Sequence, residues 1–190
     1  MDLDDKDQKS DGSLNNLVAI TVVIITVFLA ISKVKDDNIV QAMAKAQAVS
    51  VDAWNEYQAA RIKLHVDENA LATLRLMETN GGISKELAAK QAAAYEADIA
   101  KYEQRSKETM AKAKEQDATY DRLNVHDDQF DISEAFISIA IAVAAIAALI
   151  QSYPMLYFAW ASGTTGIVFG LAGFLGWGLR PEFLVKLIGT

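Results

Sequence analysis

The side chains with most chemical capacity in this 190-residue chain sit in one short run. His126, Asp127, Asp128 and Asp131 bring an imidazole and three carboxylates together, a donor set of the kind that holds a cation. The same residues arise at such spacing in any acidic linker, so a solvated link is the simpler reading and no metal is assigned. His65 with Asp67 and Glu68 offers two ligands at most from one helix turn, and a solvated polar face explains it better. No Ser-His-Asp spacing, no phosphate-cradling Gly loop and no paired carboxylates in a pocket-forming context occur. The chain is therefore expected not to be an enzyme and to need no cofactor. It has no cysteine, which removes disulfides, thiolate catalysis and cysteine-ligated zinc.

Two further sets point to binding rather than catalysis. Trp54, Tyr57, Gln58 and Arg61 combine aromatic rings with a guanidinium, the usual make-up of a contact hot spot, although a Trp packed on a neighbouring helix has the same signature. Gly163, Gly166, Gly170, Gly173 and Gly176 succeed one another at spacings of three and four. Small residues in that pattern let helices approach closely in lipid. The stripe can pack within one chain against Ala140, Ala144 and Ala147, join two copies, or line a path.

The elements that must carry these residues are set by where charge is missing. Residues 135–179 contain no Asp, Glu, Lys or Arg. A membrane helix needs about 20 apolar residues, so the run is long enough to cross twice. Backbone polar groups have no water partner in lipid, and both legs are expected to be helical, over 132–152 and 155–179, reversing near Gln151-Ser152-Tyr153-Pro154. Asp131 and Glu134, three apart, read as a capping box starting the first leg. Residues 14–33 hold an earlier apolar helix after an acidic, flexible tail at 1–13. Residues 180–190 read as an interfacial tail.

Between these lies a polar region, residues 36–131, rich in Ala, Gln, Glu and Lys and without proline. Asn80-Gly81-Gly82 interrupts it, and Ser84 can cap the next helix, giving two arms of about 38–79 and 84–123. At 1.5 Å per residue each is on the order of 60 Å long, which specifies an antiparallel pair. A 3-4 repeat runs through Met43, Ala46, Ser50, Ala53, Tyr57, Ala60, Leu64, Leu71 and Leu74. A second runs through Tyr95, Ile99, Tyr102, Ser106, Thr109, Ala113, Gln116, Tyr120 and Leu123. A seam this poor in Leu and Ile is weak. The expected fold is thus an all-α membrane protein: three transmembrane helices, with a long antiparallel, coiled-coil-like helical hairpin between the first and second.

The net charge of −7 is spread over interspersed acids and bases, with no one-sided basic surface, so nucleic acid is not an expected partner. Lys33, Lys35, Arg180 and Lys186 against Lys6 and Lys9 favour a cytoplasmic hairpin.

The order of parts, with the Trp54-Asn55-Glu56-Tyr57-Gln58 segment, the Lys101-Tyr102-Glu103 segment and the glycine-rich closing hairpin, resembles an uncharacterised bacterial membrane family, domain of unknown function 4337. The resemblance covers roughly residues 14–178 and implies a multi-pass protein of the bacterial inner membrane. The family's last turn is often strongly basic, which implies a hairpin on the outer face; here that turn is Gln-Ser-Tyr-Pro, and the two cues disagree. The expected role is a membrane-anchored scaffold or interaction protein, homo-oligomeric and able to meet another membrane protein. The alternative is a small channel or transporter accessory with a glycine-lined pore and a hairpin gate.

Overall fold

The computed structural model describes residues 2–181 and 183, with side chains from Ser13 onward. The described residues form three helices and no strand: α1 (Asp2–Thr79), α2 (Lys85–Leu149) and α3 (Tyr153–Leu175). Each is long and apolar enough to cross a membrane, with mean hydropathy of 2.6, 2.3 and 1.4 in its most apolar window. The chain divides into two compact units, Met1–Met43 with Asp121–Thr190, and Ala44–Tyr120. The acidic leader has its backbone in α1 but its side chains lie outside the described residues, as does most of the expected interfacial tail.

Continuity of the helices corrects one expectation. No helix starts at Asp131 and Glu134, which lie in the interior of α2, and none ends between residues 33 and 38, which lie in α1. The physical reason is the absence of Gly and Pro at both places: Asp and Asn lower helix propensity by only a few tenths of a kcal/mol each. With the amides of residues 131–134 inside a helix, there are no orphan donors for a capping box to satisfy.

The helix ends fall where left-handed backbone is available. Gly81 has φ 73°; Gly82 N–H donates to Met77 O at 2.9 Å and Gly81 N–H to Glu78 O at 3.1 Å, closing α1 with a Schellman turn. Ser84 then opens α2, accepting from Leu87 N–H at 3.4 Å. Gly176, φ 70°, ends α3, and Trp177 N–H donates to Ala172 O at 3.0 Å. This glycine is a terminator rather than a packing residue, and α3 stops short of the expected residue 179. Gln151 takes the corresponding position after α2 with φ 51°, its amide donating to Ala148 O at 2.7 Å.

In the first unit, α3 packs against both other helices. Leu14 and Val18 of α1, Ala144 and Ala147 of α2, and Leu156 and Ala159 of α3 form one buried cluster; Ile25, Ile137 and Ala140 form another. The four helical glycines lie on that face. A Cβ on Gly166 would fall 2.7 Å from Ile137 Cγ1 and 2.9 Å from the Ser133 carbonyl, and one on Gly170 would fall 2.7 Å from the Phe28 ring. At Gly173 it would meet the Phe130 ring at 2.8 Å, whereas at Gly163 it would find ordinary contact, 3.4 Å from Ala140 Cβ. The stripe is therefore occupied by the chain's own helices and does not present a face to a second copy.

The second unit is an antiparallel pair, because partners on α2 fall in number as those on α1 rise: Ser50 and Trp54 meet Asp117, Glu56 meets Arg105, and Arg75 meets Glu96. Its buried seam is Ala46, Ser50, Ala53, Ala60, Leu64, Leu71 and Leu74 against Ala88, Ser106, Thr109 and Ala113.

These contacts order the glycines. Gly166→Ala drives a methyl into backbone and is expected to cost about 1–3 kcal/mol. Gly163→Ala adds only van der Waals contact and gains helix propensity, so it is expected to be neutral or stabilising. Thermal unfolding of the two variants in mild detergent measures the difference.

Candidate functional site

Ionisable side chains of the first unit form a charged cluster that begins with a buried carboxylate. Asp36 of α1 has only 6% of its side chain exposed. Continuity of α1 puts it one turn beyond Ser32 and three residues beyond Lys33, whose Nζ donates to Asp36 Oδ2 at 3.1 Å and to Glu134 Oε2 of α2 at 3.2 Å. Lysine thus bridges two helices by charge-assisted hydrogen bonds. Ser32, Asp36 and Glu134, with Leu29, Lys33 and Phe130, line a crevice too narrow to admit a water molecule.

The run singled out in sequence as a possible cation holder lies beside it, but its members separate. His126 Nδ1 faces Gln129 Oε1 at 3.2 Å, and Asp128 pairs with Arg180 Nε at 2.8 Å. Asp127 is half-buried, and Asp131 is exposed. Among the described residues no three His, Asp or Glu side chains are grouped to hold a metal ion. His65 turns instead to Glu68 at 2.8 Å and Arg61 at 3.2 Å.

Charge and burial act in one direction on the acids of α2. Partial burial first, then the charges of Asp131 and Asp36, push the Asp127 carboxyl up to about 6. Asp131 is also raised, by desolvation and then by Asp36, with Lys33 opposing. A carboxyl raised in the folded chain binds its proton more tightly there than when unfolded. Its contribution to stability is greatest below the unfolded value near 3.8, is lost as pH rises toward about 6, and stays lost above that.

Sequence reasoning missed Gln129. It is fully buried, and its amide donates to the carbonyls of Trp177 and Leu179 at 2.6 and 2.7 Å, fixing the segment that leaves α3. The only signal was a lone amide beside an apolar run. Ser162 is similarly used, its hydroxyl donating to Phe136 O at 2.7 Å, and Trp160 Nε1 donates to Thr21 Oγ1 at 2.8 Å.

In the second unit the Trp54 patch divides. Trp54 and Tyr57 stack edge to face with centroids 5.7 Å apart, and Trp54 Nε1 donates to Asp117 Oδ2 at 3.2 Å, so the Trp is committed to the opposite arm. Gln58 and Arg61 are exposed. A groove of about 620 Å³ opens between the arms, with Ala59, Ala60 and Tyr102 in it and Lys63, Lys101 and Arg105 on its edge. Both lysine ammonium groups sit over the Tyr102 ring, at 5.4 and 5.2 Å. Arg105 is held by Glu56 at 2.7 Å. These groups are satisfied by one another, and none is placed as a nucleophile beside a base.

The Lys33 bridge can be tested directly. Lys33→Ala leaves the buried Asp36 without its cation and is expected to lower stability by about 1–3 kcal/mol, reduced from a fully buried pair because Lys33 itself is half exposed. Adding Asp36→Asn to it should recover part of that loss, measured by thermal unfolding of both variants in detergent.

The family model described as Domain of unknown function (DUF4337) matches residues 14–176. No curated protein and no solved structure matches the chain. The match runs from Leu14, the first buried residue of the apolar part of α1, to Gly176, the cap of α3, and so includes the charged cluster, the Trp54 patch and the glycine face. The chain belongs to this family, a domain of unknown function.

Proposed function

We propose that the protein is a membrane-anchored scaffold, with three membrane-crossing helices and a helical hairpin that self-associates and offers a docking surface to another membrane protein. The observation that carries this reading is the apolar surface left over on the hairpin after its own seam is filled. Val51, Ile62, Val66 and Leu76 of α1 are more than half exposed, as are Met77 and Leu87 near the turn. Several recur at helical spacing on one side of α1, and such a stripe beside a seam of Ala, Ser and Thr is what a multimeric coiled coil buries.

Membrane crossing is supported by a second exposed set. Ile20, Val23, Ile24, Val27 and Ile31 of α1 point away from the other helices, and lipid rather than water is the solvent that tolerates them. The flanking charges and the family pattern still favour opposite orientations; the bacterial inner membrane is the location the family resemblance implies. A pore reading has less support: the uncharged segment carries no ionisable group except tyrosines, and the glycine face is filled by Ile25, Phe28, Phe130 and Ile137.

Because the chain has no cysteine, a single introduced one reports its own neighbours. Ile62→Cys is expected to give disulfide-linked dimers when oxidised in native membranes, while Arg105→Cys, on the other arm, gives few. Crosslinking with mass spectrometry in the same membranes identifies the partner. Monomer alone from Ile62→Cys, Val66→Cys and Val51→Cys would reject self-association through this stripe.

A further inference from the structure

The groove in the second unit opens where the seam is short of side-chain volume. Ala59 and the buried Ala60 of α1 bring only methyl groups to it, Tyr102 is its aromatic part on α2, and about 620 Å³ is left between the arms. Ligand sites are commonly about 300–1,000 Å³ and largely apolar, with a few polar groups that converge. The charged groups lining this one come from both arms: Glu56 and Lys63 from α1, and Lys101, Arg105 and Glu108 from α2. Arg105 and Glu56 neutralise each other at 2.7 Å. Glu108 accepts from the uncharged amide of Gln104 at 2.8 Å. Lys63 makes no salt bridge among the described residues, and Lys101 makes only a long, exposed one to Asp98 at 3.8 Å. Both ammonium groups instead share one ring, at 5.4 and 5.2 Å from the Tyr102 centroid.

A ring face attracts a cation but carries no net charge, and two cations drawn to one ring repel each other. An anion set between them removes that repulsion and accepts a charge-assisted hydrogen bond from each. An ammonium is a compact point charge that suits carboxylate and phosphate alike, and the planar fork of Arg105 is already committed to Glu56. We propose that the groove binds a small organic anion from aqueous solution. Its carboxylate or phosphate lies between Lys63 Nζ and Lys101 Nζ, and its apolar body lies on Ala59, Ala60 and the lysine stems. Glu108 fixes the direction: it stands about two turns beyond Lys101 on α2 and repels negative charge from that end. The lining belongs to the polar region, residues 36–131, and not to the uncharged segments that suit lipid, so the occupant is a dissolved molecule rather than a lipid headgroup. All of these residues come from one chain, and the site does not depend on the scaffold reading: a monomer would bind the anion equally well.

The test uses the full chain in nanodiscs of zwitterionic phosphatidylcholine, with empty discs as the blank. The probe is naphthoate, a carboxylate on a rigid apolar body, followed by equilibrium dialysis at neutral pH. Saturable binding above the blank is expected, with naphthamide, the uncharged compound of the same shape, binding about five-fold more weakly or less. Lys63→Ala and Lys101→Ala should each weaken naphthoate by about five-fold. Glu108→Gln should tighten it, a change that mere loosening of the hairpin would not produce, and Ala59→Leu, which fills the groove, should remove it. Lys107→Ala, whose lysine is held by Glu103 outside the groove, should leave it unchanged. No saturable binding above the blank, equal affinity for naphthamide, or binding that survives Lys63→Ala combined with Lys101→Ala overturns the proposal. So does loss of naphthoate binding in discs containing phosphatidylglycerol, since a lipid headgroup would then hold the lysines. None of these outcomes bears on crosslinking through Ile62→Cys, so the anion site and the scaffold reading fail separately.

Discussion

The packing of the first unit depends on the absence of side chains at three positions of α3. Rings from two different helices, Phe28 and Phe130, and the branched chain of Ile137 stand where Gly170, Gly173 and Gly166 would otherwise carry a Cβ. The contact is made by close approach and hydrogen bonds, the interactions that associate helices in lipid, where acyl chains as apolar as leucine leave no hydrophobic gain. Phe174 then adds edge-to-face contact with both rings, at 5.2 Å to Phe130 and 6.4 Å to Phe28. The hydroxyl of Ser162 and the indole of Trp160 supply the hydrogen bonds, one to each neighbouring helix.

A different logic holds the second unit. Its seam of alanine, serine and threonine buries little apolar area, and the ion pairs across it are exposed ones that contribute only about 0–1 kcal/mol each. What fixes register is more local: Asp117 accepts from both Ser50 and Trp54, so one acid on α2 selects one turn of α1. The first unit places its acids differently. There Asp36 is buried, and one lysine and one arginine answer the carboxylates: Lys33 holds Asp36 and Glu134, and Arg180 holds Asp128. Structural ion pairs need not be balanced locally, but a buried oxygen without a donor, as at Asp36 Oδ1, is costly.

Residues with local consequences were readable from sequence. Asn80-Gly81-Gly82 supplies left-handed backbone, and the side chains of the 3-4 repeat on α1, from Met43 to Leu74, are mostly buried. The glycine spacing was visible too, yet its target was not. A stripe of small residues states that something comes close without saying whether it is the same chain, and only the positions of Phe28, Phe130 and Ile137 decide that. Asp131 and Glu134 misled for a related reason: acids before an apolar run look the same whether they cap a new helix or face a lysine 101 residues away in the sequence, as Glu134 faces Lys33. Gln129 and Asp117 act on groups far along the chain, and no local pattern announces them.

Use of the α3 glycine face within one chain is the feature on which the first unit stands or falls. Ala140 and Gly163 allow it to be probed, since a Cβ on Gly163 would stand 3.4 Å from that of Ala140, close to disulfide geometry. A double variant, Ala140→Cys with Gly163→Cys, oxidised in native membranes, should close a bond within the monomer, seen as a faster-migrating monomer that reverts on reduction. Mixed single variants should give no dimer. Efficient disulfide dimers between chains carrying one cysteine each, with no bond inside the double variant, would be incompatible with this packing.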